Sequence, residues 1–458
     1  MLRRVRVNEK GGFCKYFWFR LEFVEQSGHL TGHYYVKKHV FLYVKFAIIN
    51  DMKKIKADKK PDILARDRGE ALSLMEPLLL SEKSVHRGVL MDLAMELVAK
   101  SAGFRRSLPA AIQTSLATMV RSMNCYYSNL IEGHNTHPID IEKALQGNYS
   151  SDIKKRNLQQ EAKAHIAVQE WIDQGGIKNS IYSCDTICEI HRRFCSQLPE
   201  ELLWAIDLDD KEKIKVIPGQ LRQSDVQVGH HIAISPGAVP RFLTRFESVY
   251  NALGKSEAIL ALAASHHRLL WIHPFLDGNG RVARLMSHAV TLNVLDTGGI
   301  WSISRGLARH VEQYKEHLAN CDLSRRNDLD GRGHLSEEAL ASFIRFFLEV
   351  CIDQIHFMEN LMQPDLLRTR ILLWAREEIA LENLPQQSAQ ILEAILYRGE
   401  MARGEIASTL NVTDRHARRI TAVLIKKGIL ISDSSKSALR LAFPAALANR
   451  WMPGLFPP

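Results

Sequence analysis

From residue 62 to about residue 380, apolar side chains recur at three- and four-residue spacing, in segments such as 88–100, 112–127 and 157–174. That period lines the apolar groups of each segment along one face of a helix and commits most of the chain to helices packed on helices. Residues 257–272 are apolar on nearly every side, which places that helix at the centre. Gly175-Gly176, Pro199 and Pro236-Gly237 separate the segments. One stretch departs from the rule. Residues 214–234, IKVIPGQLRQSDVQVGHHIAI, alternate Val and Ile with polar residues around Pro218-Gly219 and Gly229, and predict a small β-hairpin inside a helical domain.

The C-terminal part has another style. Residues 388–397 read as a helix; 404–410, a turn at Asn411-Val412 and 413–427 then read as helix, turn and helix. Gly428 stops the last helix, and 429–432 and 438–443 read as two strands. This module resembles a winged helix-turn-helix. Arg415, Arg418, Arg419, Lys426 and Lys427 fall on or near the helix that would enter a DNA groove. Such folds also serve in dimerisation and protein docking, so DNA and protein both stand as partners of this end.

The net charge of +9 does not extend that reading to the whole chain. Residues 1–60 hold 14 Lys and Arg against 5 Asp and Glu, and the remainder balances at 46 against 46. The excess belongs to the N-terminus. Residues 1–51 mix aromatics such as Phe17, Trp18 and Phe19 with basic residues and show no helical period. Two readings stand for them: upstream sequence preceding a true start at Met52, or a basic strand-rich extension. The expected organisation is therefore a doubtful extension at 1–51, an N-terminal helical region at 52–200, a core with the hairpin at 201–350, a helical linker at 351–387, and the C-terminal module and tail at 388–458. No run of about 18 uncharged apolar residues occurs, so no membrane helix is expected. The seven Cys form no Cys-x-x-Cys pair, which favours reduced thiols and a cytoplasmic location over a disulfide framework.

The informative segment is 273–284, HPFLDGNGRVAR. Pro274 prevents simple continuation of the preceding helix. Gly278, Asn279 and Gly280 are the residue types most tolerant of left-handed backbone, and their successive amides can form an anion nest where the next helix begins. Arg281 and Arg284 are three apart and share a face of that helix. Asp277 lies beside the nest, where a hard cation bridging phosphates needs one carboxylate oxygen. His273 is placed to accept a proton near neutral pH. The set suits binding a polyphosphate and activating a hydroxyl.

This segment resembles the Fic signature H-P-F-x-D-G-N-G-R-x-x-R at every specified position. The resemblance covers residues 106–322 and implies a mainly α fold: a Fic helical core with a small β-hairpin flap, followed here by the winged module. It implies an adenylyltransferase moving AMP from ATP, with Mg²⁺, onto a Ser, Thr or Tyr hydroxyl of a target protein, the enzyme itself included. His273 would be the base. Asp277 would hold Mg²⁺, the amides of Gly278, Asn279 and Gly280 would cradle the phosphates, Arg281 would meet the β-phosphate and Arg284 the γ-phosphate. Related Doc-type kinases carry Lys where this chain has Gly280, which favours AMP transfer. Residues 219–229 resemble the family flap, with Val226, Gln227, Val228 and Gly229 bordering the nucleotide and a target strand adding to the edge. Tyr314 and Asn320 fall, at looser spacing, where relatives place a Tyr and an Asn near adenosine.

Ser128-Asn-Leu-Ile-Glu132-Gly133 resembles the family's inhibitory motif, in the class that carries it on an N-terminal helix. A carboxylate at a helix end can pair with an arginine, and Glu132 paired with Arg284 would withhold that arginine from the γ-phosphate. The same Glu is compatible with a deAMPylase and with a DNA-binding regulator whose Fic domain senses nucleotide. Other motifs fail. A P-loop at 253–256 has Val249 where its first glycine belongs, and an EF-hand aligned on Gly331 has Arg326 at its first ligand position. Cys184, Cys188, His191 and Cys195 fall at near-helical spacing and read as core packing before zinc. Oligomerisation is left open.

Overall fold

The computed structural model describes residues 2–7, 15–20, 65–206 and 211–456. Met52 lies outside the described residues. Two compact units divide the chain, residues 1–61 and 62–458. In the first, β1 (Leu2–Val7) pairs antiparallel with β2 (Lys15–Arg20), Leu2 opposite Arg20 and Val7 opposite Lys15.

The second unit is mainly helical. α1 (Arg87–Ser107) buries Leu90, Ala94, Leu97, Ser101 and Phe104, one stripe at helical spacing. α2 (Ala110–Ile131) starts after Pro109 and ends in a left-handed glycine: Gly133 has φ 85°, and the His134 N–H reaches back to Asn129 O at 2.9 Å. That cap fixes Glu132 at the helix end. α3 (Pro138–Leu145), α4 (Ile153–Asp173) and α5 (Cys184–Cys195) follow, α4 packing on both α2 and α5. The strand-like stretch is divided differently from the single hairpin expected over 214–234. β3 (Trp204–Ile206) pairs with β4 (Lys213–Lys215), and a separate short hairpin joins β5 (Gln227–Val228) to β6 (His231–Ile232). Pro218 and Gly219 lie between the two hairpins, and β4 takes its partner from upstream.

α6 (Val239–Tyr250) leads to α7 (Lys255–Ile272), which is buried on nearly all sides and packs along α8 (Asn279–Leu295). α9 (Ile303–Arg309), α10 (Val311–Cys321) and α11 (Glu337–Met362) complete the core. α11 runs unbroken across the domain boundary expected at 350, because Phe347, Leu348, Cys351, Ile352 and Ile355 bury one continuous face. α12 (Pro364–Ala380) begins one residue later at a proline in the first turn, where its missing N–H has no helical partner to lose.

Beyond it lie α13 (Ser388–Arg398), β7 (Glu400–Met401), α14 (Ile406–Leu410), α15 (Asp414–Lys426), β8 (Leu430–Ile431), β9 (Leu439–Leu441) and α16 (Ala448–Trp451). The strands form one sheet in the order β7-β9-β8. The chain then returns to the core. Tyr127 Oη donates to Leu455 O at 2.9 Å, Arg305 Nη2 donates to Gly454 O at 2.9 Å, and Phe456 meets the Tyr126 ring edge-on. Among the described residues no helix is long and apolar enough to cross a membrane.

Candidate active site

α7 stops at Ile272 because His273 turns into the left-handed region, φ 51° and ψ 64°, just before Pro274. Gly278, with φ 82°, makes a second reversal, and α8 starts at Asn279. The loop between them is fixed from within. Asn279 Oδ1 accepts the Phe275 N–H at 3.0 Å and its Nδ2 donates to Phe275 O at 2.9 Å. Asp277 Oδ1 accepts the Gly278 N–H at 2.6 Å, while its carboxylate stays exposed.

Around this loop lies a cavity of about 320 Å³. Its floor comes from His273, Asp277, Gly278, Asn279, Gly280 and Arg281. Val226, Gln227 and Val228 form one wall and Glu132 another. Ala205 and Ile206, from the β3–β4 hairpin, also face it, and nothing local in the sequence marked them. Gly229 makes the turn beside β5 with φ 60° and is not among the lining residues. Arg284 lies behind Glu132.

His273 is half-buried, and loss of hydration pushes its imidazole down to about 4. Its Nδ1 lies 3.3 Å from Leu270 O. A proton on Nδ1 donated to that carbonyl leaves Nε2 bare, the form a base needs. Arg222 secures the main chain here, a role its sequence context did not reveal. It is buried, donates from Nε to His273 O at 2.7 Å and from Nη1 to Ser224 O at 3.1 Å, and also serves Ile234 O. One guanidinium thereby ties the flap to the end of α7.

Glu132 and Arg284 meet as an ion pair, Oε1 to Nη2 at 2.5 Å. Ser128 supplies two further acceptors for Arg284: its Oγ from Nε at 2.9 Å and its carbonyl from Nη2 at 3.1 Å. Burial pushes the Glu132 carboxyl up, but Arg284 and then Arg281 pull it below its ordinary value, so it stays ionised at neutral pH. The carboxylate lies directly over Gly280, where an added Cβ would collide with Glu132 Oε1.

Arg281 has a partner that its place in the loop did not suggest. Its Nη2 pairs with Glu161 of α4, and His134 Nδ1 lies 2.7 Å from Glu161 Oε2. The hydrogen bond to Glu161 raises the His134 imidazole above its ordinary value. A signal for Glu161 was present: it falls in phase with the buried stripe His165, Val168 and Ile172.

The two residues expected near adenosine do not line this cavity. Tyr314 is buried, its hydroxyl 2.7 Å from His266 Nε2, and His266 Nδ1 is 2.8 Å from Ser287 Oγ. That polar chain satisfies the tyrosine inside the helix packing. Asn320 is exposed near the end of α10. His191 is also structural: it stacks on Phe275 at 3.8 Å, accepts the Gly219 N–H at 2.8 Å, and lies 3.2 Å from Cys195 Sγ. Among the described residues no group of three or more His, Cys, Asp or Glu side chains is placed to hold a metal.

The model of the Fic/DOC family matches residues 181–291. Curated relatives named Protein adenylyltransferase Fic include one from Culex quinquefasciatus, 29% identical over 170 residues, and one from Drosophila erecta, 24% identical over 196. These alignments cover 36% and 41% of this chain but 31% and 37% of the relatives, so the chain spans about a third of their length. Among solved structures, a Fic family protein from Desulfovibrio desulfuricans is 16% identical, with a TM-score of 0.43 over 76% of this chain and 96% of that one, a likeness too distant to add weight. Glu132 and Glu161 lie outside the matched span; the loop from His273 to Arg284 lies within it. This chain carries a Fic/DOC family domain at residues 181–291.

Proposed function

We propose that the chain is a protein adenylyltransferase held in check by its own Glu132. The observation that carries this reading is the convergence on one cavity of a bare imidazole, an exposed carboxylate and a glycine-rich helix start, with a carboxylate already paired to Arg284 at its edge. ATP would lie with its phosphates on the amides of Gly278, Asn279 and Gly280, meeting Arg281 and, once Glu132 has moved, Arg284. Asp277 fits a Mg²⁺ bound mainly through phosphates, since such sites need only one or two carboxylates. The metal would supply charge neutralisation. His273 takes the proton from a target Ser, Thr or Tyr hydroxyl. The hydroxyl oxygen bonds to the α-phosphorus, the bond from that phosphorus to the bridging oxygen breaks, and pyrophosphate leaves. The fixed N–H donors meet the charge that develops on phosphate oxygens. Val228 and Ile232 are 51% and 68% exposed on the flap, an arrangement suited to a target segment laid along β5. The test is label position: with ATP labelled at the α-phosphate, protein should gain label, and with ATP labelled at the γ-phosphate it should not. Transfer of the γ-label alone would make the protein a kinase.

A second reading concerns residues 388–446, a winged helix-turn-helix in which α15 is the recognition helix. Arg415, Arg418, Arg419 and Lys426 are all exposed along α15, spaced to share one outward face. We infer that this face binds duplex DNA. Replacing Arg415 and Arg419 together with alanine should weaken binding at low salt and flatten its salt dependence. Absence of DNA binding by the unaltered protein at low ionic strength would leave protein docking as the module's role.

A further inference from the structure

Glu161 is 1% exposed and lies on α4, far in sequence from the nucleotide loop. A carboxylate at that depth needs a partner, and it has two. Oε1 pairs with Arg281 Nη2, and Oε2 lies 2.7 Å from His134 Nδ1. The Arg281 guanidinium also lies 5.6 Å from the centre of the Phe194 ring. Arg281 is itself only 7% exposed, and its Nε has no hydrogen-bond partner among the described residues. The guanidinium is therefore held at one nitrogen and retains spare donor capacity.

The two site arginines meet their carboxylates at different cavities. Glu132 borders the cavity of about 320 Å³ and would contend with a phosphate for Arg284. Glu161 borders a different cavity of about 200 Å³, which shares Asp277, Gly278 and Arg281 with the first. It grips Arg281 from behind, where a nucleotide in the first cavity does not displace it. A long arginine side chain left free would have to be ordered on binding, and fixing it beforehand removes that cost.

We propose that Glu161 is the positioning residue for Arg281, setting the guanidinium in the one orientation that meets the β-phosphate of a nucleoside triphosphate. This rests on the adenylyltransferase reading. It assigns opposite signs to two acids paired with the site arginines: loss of Glu132 at the cavity edge frees the site, and loss of the buried Glu161 loosens it. His134 follows Glu132 by two residues, so the same network also ties down the end of α2.

The test is a double-mutant cycle in the Glu132→Gly protein, read by calorimetric binding of a non-hydrolysable ATP analogue with Mg²⁺ and by melting temperature. Glu161→Gln should weaken analogue binding about tenfold, a loss on the scale of one oriented charge-assisted contact. Arg281→Ala should weaken it at least as much, and the double variant should bind no worse than Arg281→Ala alone, because Glu161 acts through that arginine. Unchanged binding by Glu161→Gln overturns the proposal, as does a double variant whose loss is the product of the two single losses. If Glu161→Gln does not fold, Glu161→Asp, which keeps the charge and shortens the reach, is put through the same cycle. A Glu132→Gly protein that binds no analogue defeats the transferase reading and this inference together; one that binds it, with Glu161→Gln indistinguishable, defeats only the inference.

Discussion

Replacing Glu132 with glycine should raise AMP incorporation by about 10- to 100-fold. Removing a carboxylate ordinarily costs activity or stability, and here the sign reverses. The Glu132–Arg284 pair is a charge-assisted bond in a half-buried setting, and bonds to charged groups are worth roughly 1.5–3 kcal/mol, which converts to about 10- to 100-fold in an equilibrium. A γ-phosphate has to overcome that contact before it can use Arg284. Arg284 is not orphaned by the change, because Ser128 still offers its hydroxyl and its carbonyl. The backbone tolerates it as well, since Glu132 only caps α2 at φ −81° and the left-handed turn belongs to Gly133. The check is initial-rate labelling with target present, beside melting curves for both proteins.

Replacing His273 with alanine in that activated protein should cut transfer by about 10²- to 10⁴-fold, the range expected for loss of a general base. Binding of the ATP analogue should change little, because the amides at 278–280, Arg281 and Arg284 remain. The pH dependence follows from the half-buried imidazole. Its pKa is depressed to about 4, so the basic form is present above that value and is lost only as pH falls through it. The kcat/KM profile of the free enzyme should therefore show no acid limb from His273 between pH 6 and 8. A limb centred near 6.5 that disappears with His273→Ala would mean that the imidazole is more hydrated than its surroundings indicate.

How much of this could be read from the sequence depends on whether the determinants were local. The turn from α7 to α8 was legible because proline cannot continue a helix and glycine alone takes a left-handed backbone without strain: Pro274 and Gly278 stand where the chain reverses. The central burial of α7 was legible because it is apolar all round. The hairpin was legible as strand-like composition, but strand pairing is a tertiary choice, and β4 took β3 as its partner. The course of the chain around position 350 was hidden for a related reason: α11 carries one unbroken buried face from the core towards the next module. Partners distant along the chain left the faintest trace. Glu161 reaches Arg281 across a separation of 120 positions, and only its phase with the buried stripe of α4 hinted at it. Tyr314 shows the converse. The family resemblance suggested a place near the nucleotide, whereas its hydroxyl lies 2.7 Å from His266 Nε2 within the packing.

The most direct test of the central claim compares AMP incorporation from α-labelled ATP in four proteins: unaltered, Glu132→Gly, Arg284→Ala, and Glu132→Gly with Arg284→Ala. Competition for Arg284 predicts high incorporation in Glu132→Gly alone, with the double variant falling back to the level of Arg284→Ala. Equal incorporation by the unaltered and Glu132→Gly proteins, both folded and supplied with target, or a gain that survives loss of Arg284, would contradict it.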